Sequence, residues 1–233
     1  MKVKIWSDVR CPFCYIGKKK FEAALAKFPQ EKEIEVEWKS YQLDPNLKTD
    51  PNLSTLEYFV KAKGVSETRA KEMFSGATNM AAEVGLKFNL ETSVTANSFM
   101  AHRLIQMGKS KGLGNEIEEA LFIAHFEEAK NIDNAEVLQG IGISRGLETG
   151  EVKNTLESDA FAYEVKQDEM EARNIGVRGV PFFVIDDKYA ISGAQPTDAF
   201  LQTLEKAWKE FKPKKNHLEV SEGDSCATYG NCD

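Results

Sequence analysis

The feature that most constrains the fold is a pair of cysteines, Cys11 and Cys14, between a strand pattern and a helix pattern. Residues 2–6 alternate polar and apolar side chains, which is typical of a short strand. Pro12 suits the first turn of a helix, where its missing N–H costs nothing, and apolar residues follow at helical spacing as far as Phe28. The Cys-x-x-Cys motif therefore opens a helix that directly follows a strand.

The remaining patterns predict the order strand-helix-strand, a long helical region, and then helix-strand-strand-helix. Residues 33–39 alternate strictly and predict a second strand. Because a right-handed crossover joins such strands, the first two would form a parallel pair. Residues 182–185 form an apolar run that predicts a buried strand, and residues 186–187 predict the turn into a return strand at 189–191. We therefore predict an α/β fold.

Capping residues predict where two of the later helices begin. Asp133 to Glu136 matches a capping box, in which both residues satisfy free backbone groups. Ser158 is a suitable cap for a further helix that would bury Phe161 and Val165 on one face.

The two cysteines of the motif differ in position, and this predicts different roles. Cys11 lies at the predicted helix N-terminus, where free backbone N–H groups and the helix dipole favour a thiolate. Cys14 lies one turn further in, where it can reach Cys11 and is less exposed. Disulfide exchange needs a thiolate that attacks and a second thiol that resolves the mixed disulfide. We predict Cys11 as the nucleophile and Cys14 as the resolving cysteine.

A structural zinc site is the alternative interpretation of the motif. Such a site has four protein ligands, which fill the coordination sphere of the metal. Cys226 and Cys232, separated by five residues, do not have the spacing of a zinc knuckle. The three histidines are scattered, and we interpret His102 and His125 as packing or surface residues of helices rather than catalytic bases. We therefore expect no metal.

The chain resembles the DsbA-like branch of the thioredoxin superfamily. The resemblance is carried by the cysteine motif, by Gly179-Val180-Pro181 before the hairpin strand, and by the helical block between the two halves. It is more narrowly similar to the FrnE group. The matching segments are Ser7-Asp8, Gln42-Leu43-Asp44-Pro45, Asn97-Ser98, His102-Arg103-Leu104 and Gly193-Ala194-Gln195. The resemblance covers about residues 1–210 and implies a thioredoxin-like fold with an inserted all-helical domain.

This resemblance implies a division of the chain into parts. Residues 1–44 and 160–212 would form the thioredoxin-like domain, and residues 45–159 the inserted helical domain. Residues 213–233 are polar and predict a flexible C-terminal tail that carries the second pair of cysteines.

The resemblance also implies which residues surround the two motif cysteines. Val180–Pro181 would be the family's cis peptide bond, which faces the cysteines, so Pro181 joins them as a catalytic residue. Val180 would present its backbone to an extended substrate peptide, and Pro12 and Phe13 would complete the substrate-binding set. Phe13 offers no positive charge to the thiolate, which indicates a less oxidising couple than in relatives with histidine there.

Cys226 and Cys232 leave three interpretations open. They would form a second redox pair that exchanges a disulfide with Cys11, or a regulatory disulfide, or two exposed thiols without a role. A mobile tail has a high effective concentration near the site, which favours redox coupling.

The implied function is a thiol–disulfide oxidoreductase or isomerase that acts on protein or small-molecule disulfides and thiols. It needs no cofactor beyond its redox-active disulfide, and glutathione is one candidate substrate. Two alternatives stay open. One is a glutathione-dependent isomerase related to 2-hydroxychromene-2-carboxylate isomerase, against which the paired thiols argue. The other is a binding protein whose cysteines sense oxidation.

Charge and hydropathy limit the kinds of partner and the cellular location that we expect. The formal net charge of −7, with basic residues interspersed among acids, argues against nucleic acid as a partner. No segment approaches the roughly 20 apolar residues that span a bilayer, so we expect no membrane association. Charged residues interrupt the N-terminal segment, which predicts no signal peptide and a cytoplasmic protein. The sequence does not predict the oligomeric state.

Overall fold

A four-stranded sheet flanked by helices forms the centre of residues 1–211, the part of the chain that the computed structural model describes. The strands are β1 (Lys2–Ser7), β2 (Glu35–Ser40), β3 (Asp50–Ser54), β4 (Val94–Thr95), β5 (Phe182–Ile185) and β6 (Tyr189–Ser192). The α-helices are α1 (Pro12–Leu25), α2 (Thr55–Lys63), α3 (Glu67–Ala82), α4 (Phe99–Ser110), α5 (Gly114–Phe122), α6 (Ala135–Ser144), α7 (Thr149–Glu157), α8 (Ala162–Asn174) and α9 (Thr197–Glu210). A 3-10 turn (Glu31–Glu33) and a π-helical turn (Ile123–Glu127) complete the set.

The main sheet has the strand order β2-β1-β5-β6. β1 pairs in parallel with β2, Val3 opposite Val36, which confirms the predicted parallel pair. β5 runs antiparallel to β1, with Trp6 opposite Phe182, and β6 returns antiparallel to β5 through the predicted turn. β3 and β4 form a separate two-stranded sheet within the helical region. The α/β fold with helices inserted between β2 and β5 agrees with the prediction.

Helices cover both faces of the main sheet. Ile5 points to one face, where Phe21 of α1 and Phe200 of α9 pack against Phe183 of β5. Trp6 points to the opposite face and is fully buried against α8. The alternation of side chains along β1 thus places apolar groups in two separate layers.

The start of α1 belongs to a second core, which the inserted helices build. Tyr15 of α1 stacks on Phe122 of α5 with ring centroids 4.8 Å apart. Cys14 and Ile16 lie in the same apolar cluster as Leu104 of α4. The cysteine motif therefore lies where the inserted helices meet the sheet.

Both predicted helix caps are wrong in position. Asn134, not Asp133, caps α6, because its side chain accepts the Val137 amide at 3.0 Å while the Asp133 carboxylate binds the Thr49 hydroxyl. Ser158 does not cap α8, which begins at Ala162 after Phe161 in the left-handed conformation (φ 63°). A tertiary contact thus engages Asp133. The Ser158 hydroxyl is engaged locally, because it donates to the Asn154 carbonyl at 2.6 Å.

The predicted domain boundaries fall in connecting segments. The boundary at residues 44–45 lies between β2 and β3, and that at 159–160 lies between α7 and α8. The division into domains stays a prediction. Residue 212 and the predicted tail 213–233, with Cys226 and Cys232, lie outside the described residues.

Within residues 1–211, no helix combines the length and the apolar character needed to cross a lipid bilayer.

Candidate active site around Cys11 and Cys14

Cys11 occupies the N-cap position of α1 without a side-chain capping hydrogen bond, and Cys14 lies one turn inside the helix. The Cys11 backbone is extended (φ −93°, ψ 112°), and Pro12 is the first helical residue. The Cys14 amide donates to the Cys11 carbonyl at 3.0 Å, and the Cys11 amide donates to the Asp8 carbonyl at 2.9 Å. Both cysteines are free thiols. The prediction that the motif opens a helix directly after a strand is confirmed.

The loop before β5 lies against the first cysteine. The Val180–Pro181 peptide bond is cis, and Cys11 Sγ lies 3.5 Å from the Val180 carbonyl oxygen. Pro181 is buried beside α1. The structure thus brings together Cys11, Val180 and Pro181, whose catalytic and substrate-binding roles stay predictions.

Gly17 permits the close approach of α1 to this loop. A Cβ atom at position 17 would lie 2.9 Å from Pro181 Cγ and 3.6 Å from Ala194 Cβ. A proline ring cannot rotate away as a flexible side chain can, so a larger residue would force the helix and the loop apart.

Exposure differs sharply along the motif. Phe13 is 41% exposed, whereas Cys11 is 5% and Cys14 1% exposed. Pro12 is half-buried. The apolar side chain of Phe13 is therefore exposed, while the two sulfur atoms are largely covered.

The Cys14 thiol is held in its protonated form. Burial, followed by the hydrogen bond and charge interaction with Cys11, raises the pKa of Cys14 well above its usual range. The Asp8 amide and the Ser7 hydroxyl act in the opposite direction but do not compensate. Cys14 can therefore attack a neighbouring disulfide only if a base removes its proton.

Asp8 and His102 form a buried contact near the motif. Asp8 accepts the amides of Arg10 (3.1 Å) and Leu43 (2.8 Å), and its Oδ1 lies 3.5 Å from His102 Nε2, at the outer limit of hydrogen bonding. Burial alone would raise the pKa of Asp8, but the contact with His102 lowers it below the usual range. Asp8 is thus an anion that holds the segment after β2 against the motif. The interpretation of His102 as a packing residue agrees with its burial.

His125 is also fully buried, in the π-helical turn after α5. Burial lowers the pKa of His125 to about 4, so the imidazole is neutral at physiological pH. This agrees with the interpretation of His125 as a packing residue.

Glu118 of α5 is a buried carboxyl group that sequence reasoning missed. It is only 1% exposed, and burial raises its pKa to about 7, although the Ser7 hydroxyl and the charges of His102 and Lys18 favour the anion. A glutamate beside the apolar Ile117 carries no local signal of burial. Its position follows from the packing of α5 against α4 and β2.

In the described part of the chain, no three histidine, cysteine, aspartate or glutamate side chains are grouped so that they could hold a metal ion.

The fold and the position of the motif define the class of protein. Residues 2–205 match the family model of the DSBA-like thioredoxin domain. The chain belongs to this family, as the sequence predicted, and the narrower FrnE group stays a prediction.

Sequence similarity to two known proteins extends over nearly the whole chain. A probable DsbA oxidoreductase from Streptomyces coelicolor is 34% identical, and its crystal structure superimposes with a TM-score of 0.86 over 100% of this chain and 98% of that one. YwbO of Bacillus subtilis (strain 168) is 28% identical over 216 residues, which are 91% of this chain and 98% of YwbO.

Solved structures of lower identity share the fold alone. The cytosolic disulfide reductase DsbM from Pseudomonas aeruginosa is 16% identical with a TM-score of 0.64, over 91% of this chain and 100% of DsbM, and it has also been solved with GSH. A 2-hydroxychromene-2-carboxylate isomerase is 16% identical with a TM-score of 0.62, over 90% of this chain and 95% of the isomerase.

Proposed function

We propose that this chain is a thiol–disulfide oxidoreductase that exchanges disulfides through Cys11 and Cys14. The observation that carries the proposal is the placement of Cys11 at the N-terminus of α1, 3.5 Å from the Val180 carbonyl of a cis-proline loop. Cys14 lies buried one turn behind it. Membership of the DSBA-like family and the similarity to a probable DsbA oxidoreductase support this function.

The proposed reaction has two exchange steps. The Cys11 thiolate attacks one sulfur of a substrate disulfide, forming a mixed disulfide and releasing the other substrate sulfur as a thiolate. Cys14 then loses its proton and attacks the Cys11 sulfur. The bond between Cys11 and the substrate breaks, the second substrate thiolate leaves, and a Cys11–Cys14 disulfide remains. The substrate gains the two electrons that the cysteine pair loses, and the reverse sequence oxidises a dithiol.

The proposed substrates are protein or small-molecule disulfides and thiols. An extended peptide would hydrogen-bond to the backbone at Val180, as strands do when they join a sheet edge, and Phe13 would contact its apolar side chains. The DsbM structure with GSH supports glutathione as a candidate small-molecule substrate. The same neighbour, a cytosolic protein, supports a cytoplasmic location. We propose that the reaction needs no cofactor beyond the cysteine pair. We also propose Cys226 and Cys232 as a candidate second redox pair.

Substitution of each motif cysteine tests the function. We expect Cys11→Ser to reduce insulin disulfides no faster than the reaction without protein, because the attacking sulfur is gone. Cys14→Ser should still attack but should accumulate the mixed disulfide with the substrate, detectable by mass spectrometry. Full insulin reduction by Cys11→Ser would reject the proposal.

The glutathione-dependent isomerase is a second candidate, supported by the shared fold with 2-hydroxychromene-2-carboxylate isomerase. The buried second thiol beside Cys11 favours the oxidoreductase, because an isomerase that only binds glutathione has no use for a resolving cysteine. Isomerase turnover that depends on glutathione and survives Cys14→Ser would reverse this preference. If the chain is instead a binding protein whose cysteines sense oxidation, client binding should survive the loss of both Cys11 and Cys14, and no catalytic turnover should be seen.

A further inference from the structure

Arg10, the residue directly before Cys11, has a half-buried side chain that the proposed exchange steps do not use. Its backbone amide donates to Asp8 Oδ1 at 3.1 Å, which anchors it beside the motif. Its guanidinium carbon lies 5.6 Å from the centre of the Tyr58 ring of α2. At this distance a cation–π contact holds the guanidinium on the ring. A positive charge is therefore kept in one place next to the attacking cysteine.

The two carboxylates close to Arg10 are engaged by other groups. Asp44 accepts the Tyr58 hydroxyl at 2.8 Å. Asp8 is fully buried and accepts two backbone amides. Burial and the contact with Asp44 raise the pKa of the Tyr58 hydroxyl, and the charge of Arg10 opposes this rise. Within residues 1–211, the guanidinium thus contacts Tyr58 but pairs with no carboxylate.

Two other arginines show what a structural role looks like in this molecule. Arg103 donates to three backbone carbonyls of residues 155–160, and Arg69 pairs with Glu72 at 2.9 Å. A guanidinium carries five N–H donors in a planar fork that matches the two oxygens of a carboxylate. Arg10 presents this fork without such partners.

The surface beside Arg10 combines its charge with apolar groups. The Asp8 carboxylate anchors the amides of both Arg10 and Leu43 (2.8 Å), so these two residues lie on the same support. Leu43 is 51% exposed and Phe13 of the motif 41%. The chain as a whole has a net charge of −7, so an anion that approaches the site gains from a local cation. These features suit a substrate that carries a carboxylate and apolar atoms near its disulfide.

We propose that Arg10 binds a carboxylate of the substrate and thereby selects disulfides that carry this group close to the sulfur that Cys11 attacks. This inference rests on the proposed function and specifies the substrate class of the same site. Arg10 transfers neither electrons nor protons. The carboxylate belongs either to an acidic residue of a peptide or to a small molecule such as glutathione, which share this chemistry.

Three small symmetrical disulfides test the recognition because they differ mainly in charge. Dithiodipropionate carries carboxylates, bis(2-hydroxyethyl) disulfide is neutral, and cystamine carries ammonium groups. Each is mixed with the reduced full chain bearing Cys226→Ser and Cys232→Ser, so that only the motif thiols react. Alkylation of the remaining thiols at set times, followed by mass spectrometry, gives the rate of oxidation.

We expect Arg10→Gln to slow the reaction with dithiodipropionate about fivefold, because a charge-assisted hydrogen bond at a partly exposed site contributes on that scale. The rate with the neutral disulfide should stay unchanged, and cystamine should react faster because a repulsive charge is gone. Arg10→Lys should recover part of the lost rate, since it keeps the charge without the planar fork. High salt should reduce the preference of the reference chain for dithiodipropionate.

Arg145→Gln is the matched control. It removes an exposed arginine directly after α6 and changes the net charge by the same amount, so all three rates should stay unchanged. An equal loss of rate with dithiodipropionate in Arg145→Gln would show that the net charge acts, and not a contact with Arg10.

Two larger substrates distinguish the sources of the carboxylate. Oxidised glutathione represents the small molecule. A disulfide-linked peptide dimer with aspartate next to the cysteine represents a protein, and the same peptide with asparagine is its control. The source is the substrate whose rate falls in Arg10→Gln, and the inference is overturned if neither rate falls.

Two further results overturn the inference. In one, Arg10→Gln reacts with dithiodipropionate as fast as the reference chain. In the other, all three small disulfides slow by the same factor, which indicates that Arg10 only supports the structure of the motif. Failure of the proposed function looks different, because the reference chain itself then reacts with none of the three. If Arg10→Gln does not fold, Arg10→Met decides, since it keeps an apolar stem of similar length on Tyr58.

Discussion

At the residue scale, the molecule keeps ionisable groups where water does not reach them. Glu118 and Cys14 are each 1% exposed, and burial disfavours the charged form of both. Such groups are costly for stability and are retained where chemistry needs them. The protonation of Cys14 and Glu118 is therefore set by the packing around them.

The buried Glu118 makes stability depend on pH. The folded chain holds this proton up to about pH 7, whereas the ordinary value is 4.5, so the folded state binds more protons between these values and stability falls as pH rises. Since a tenfold change in proton affinity is worth about 1.4 kcal/mol, the loss amounts to about 3 kcal/mol. We expect Glu118→Gln to remove this loss of stability, because glutamine carries no ionisable proton. Above neutral pH the free energy of unfolding of the variant should therefore rise relative to that of the parent chain.

Urea unfolding on either side of this pH window measures the effect. Glu116→Gln, at an exposed position of the same helix, should follow the parent chain at both pH values. If the free energies of unfolding of Glu118→Gln and the parent chain differ by the same amount at both pH values, Glu118 is not the group that makes stability depend on pH.

At the element scale, the site depends on how closely α1 approaches the loop before β5. Gly17 lies on the face of α1 that meets Pro181, and there a Cβ atom would lie 2.9 Å from the proline ring. Cys11 Sγ and the Val180 carbonyl oxygen, 3.5 Å apart, lie in the same two segments. Gly17 thus permits the close packing of both site segments.

We expect Gly17→Ala to destabilise the chain by about 1–3 kcal/mol through overpacking, and to reduce insulin reduction, because the loop moves away from Cys11. Gly76→Ala is the matched control. Gly76 is an exposed glycine inside α3 with open space around its Cβ position, so alanine should stabilise that helix by up to about 1 kcal/mol. Thermal unfolding and the activity assay check both. Equal effects of the two substitutions would argue against the close approach.

At the scale of the whole molecule, the sheet and the inserted helices share structure. Tyr15 and Cys14 of α1 belong to the core of the inserted helices, while Phe21 of the same helix belongs to the core under the sheet. Gln106 of α4 joins the two as well, because its side-chain amide donates to the Ser40 hydroxyl of β2 (2.9 Å). Breaking either core exposes part of the other.

We therefore expect a single cooperative unfolding transition. The three tryptophans, Trp6, Trp38 and Trp208, lie in β1, β2 and α9, so their fluorescence follows the part of the molecule around the sheet. Far-ultraviolet circular dichroism follows mainly the helices. The two denaturant curves should coincide, as two-state behaviour requires. Helices that melt at lower denaturant than the tryptophan signal would show an independently unfolding insertion.

Local patterns were sufficient for the elements around the motif. The alternation in residues 2–6, Pro12 at a helix start and the apolar run 182–185 predicted β1, α1 and β5 correctly, because each signal is carried by neighbouring residues. The family resemblance that these segments support predicted a cis peptide bond before Pro181, and the structure has it. The cysteine pair and its position at a helix N-terminus are thus readable from the chain itself.

The tertiary structure decided which polar groups are buried and what they face. Asn134 replaced Asp133 as a helix cap because Thr49, distant in sequence, binds Asp133. Glu118 has no sequence signal, because its burial arises only when α5 packs against α4 and β2. The sequence by itself determined the pair of thiols and their place at a helix start, since both depend on residue type and local spacing. The surroundings of the thiols depend on long-range packing, which only the folded chain specifies.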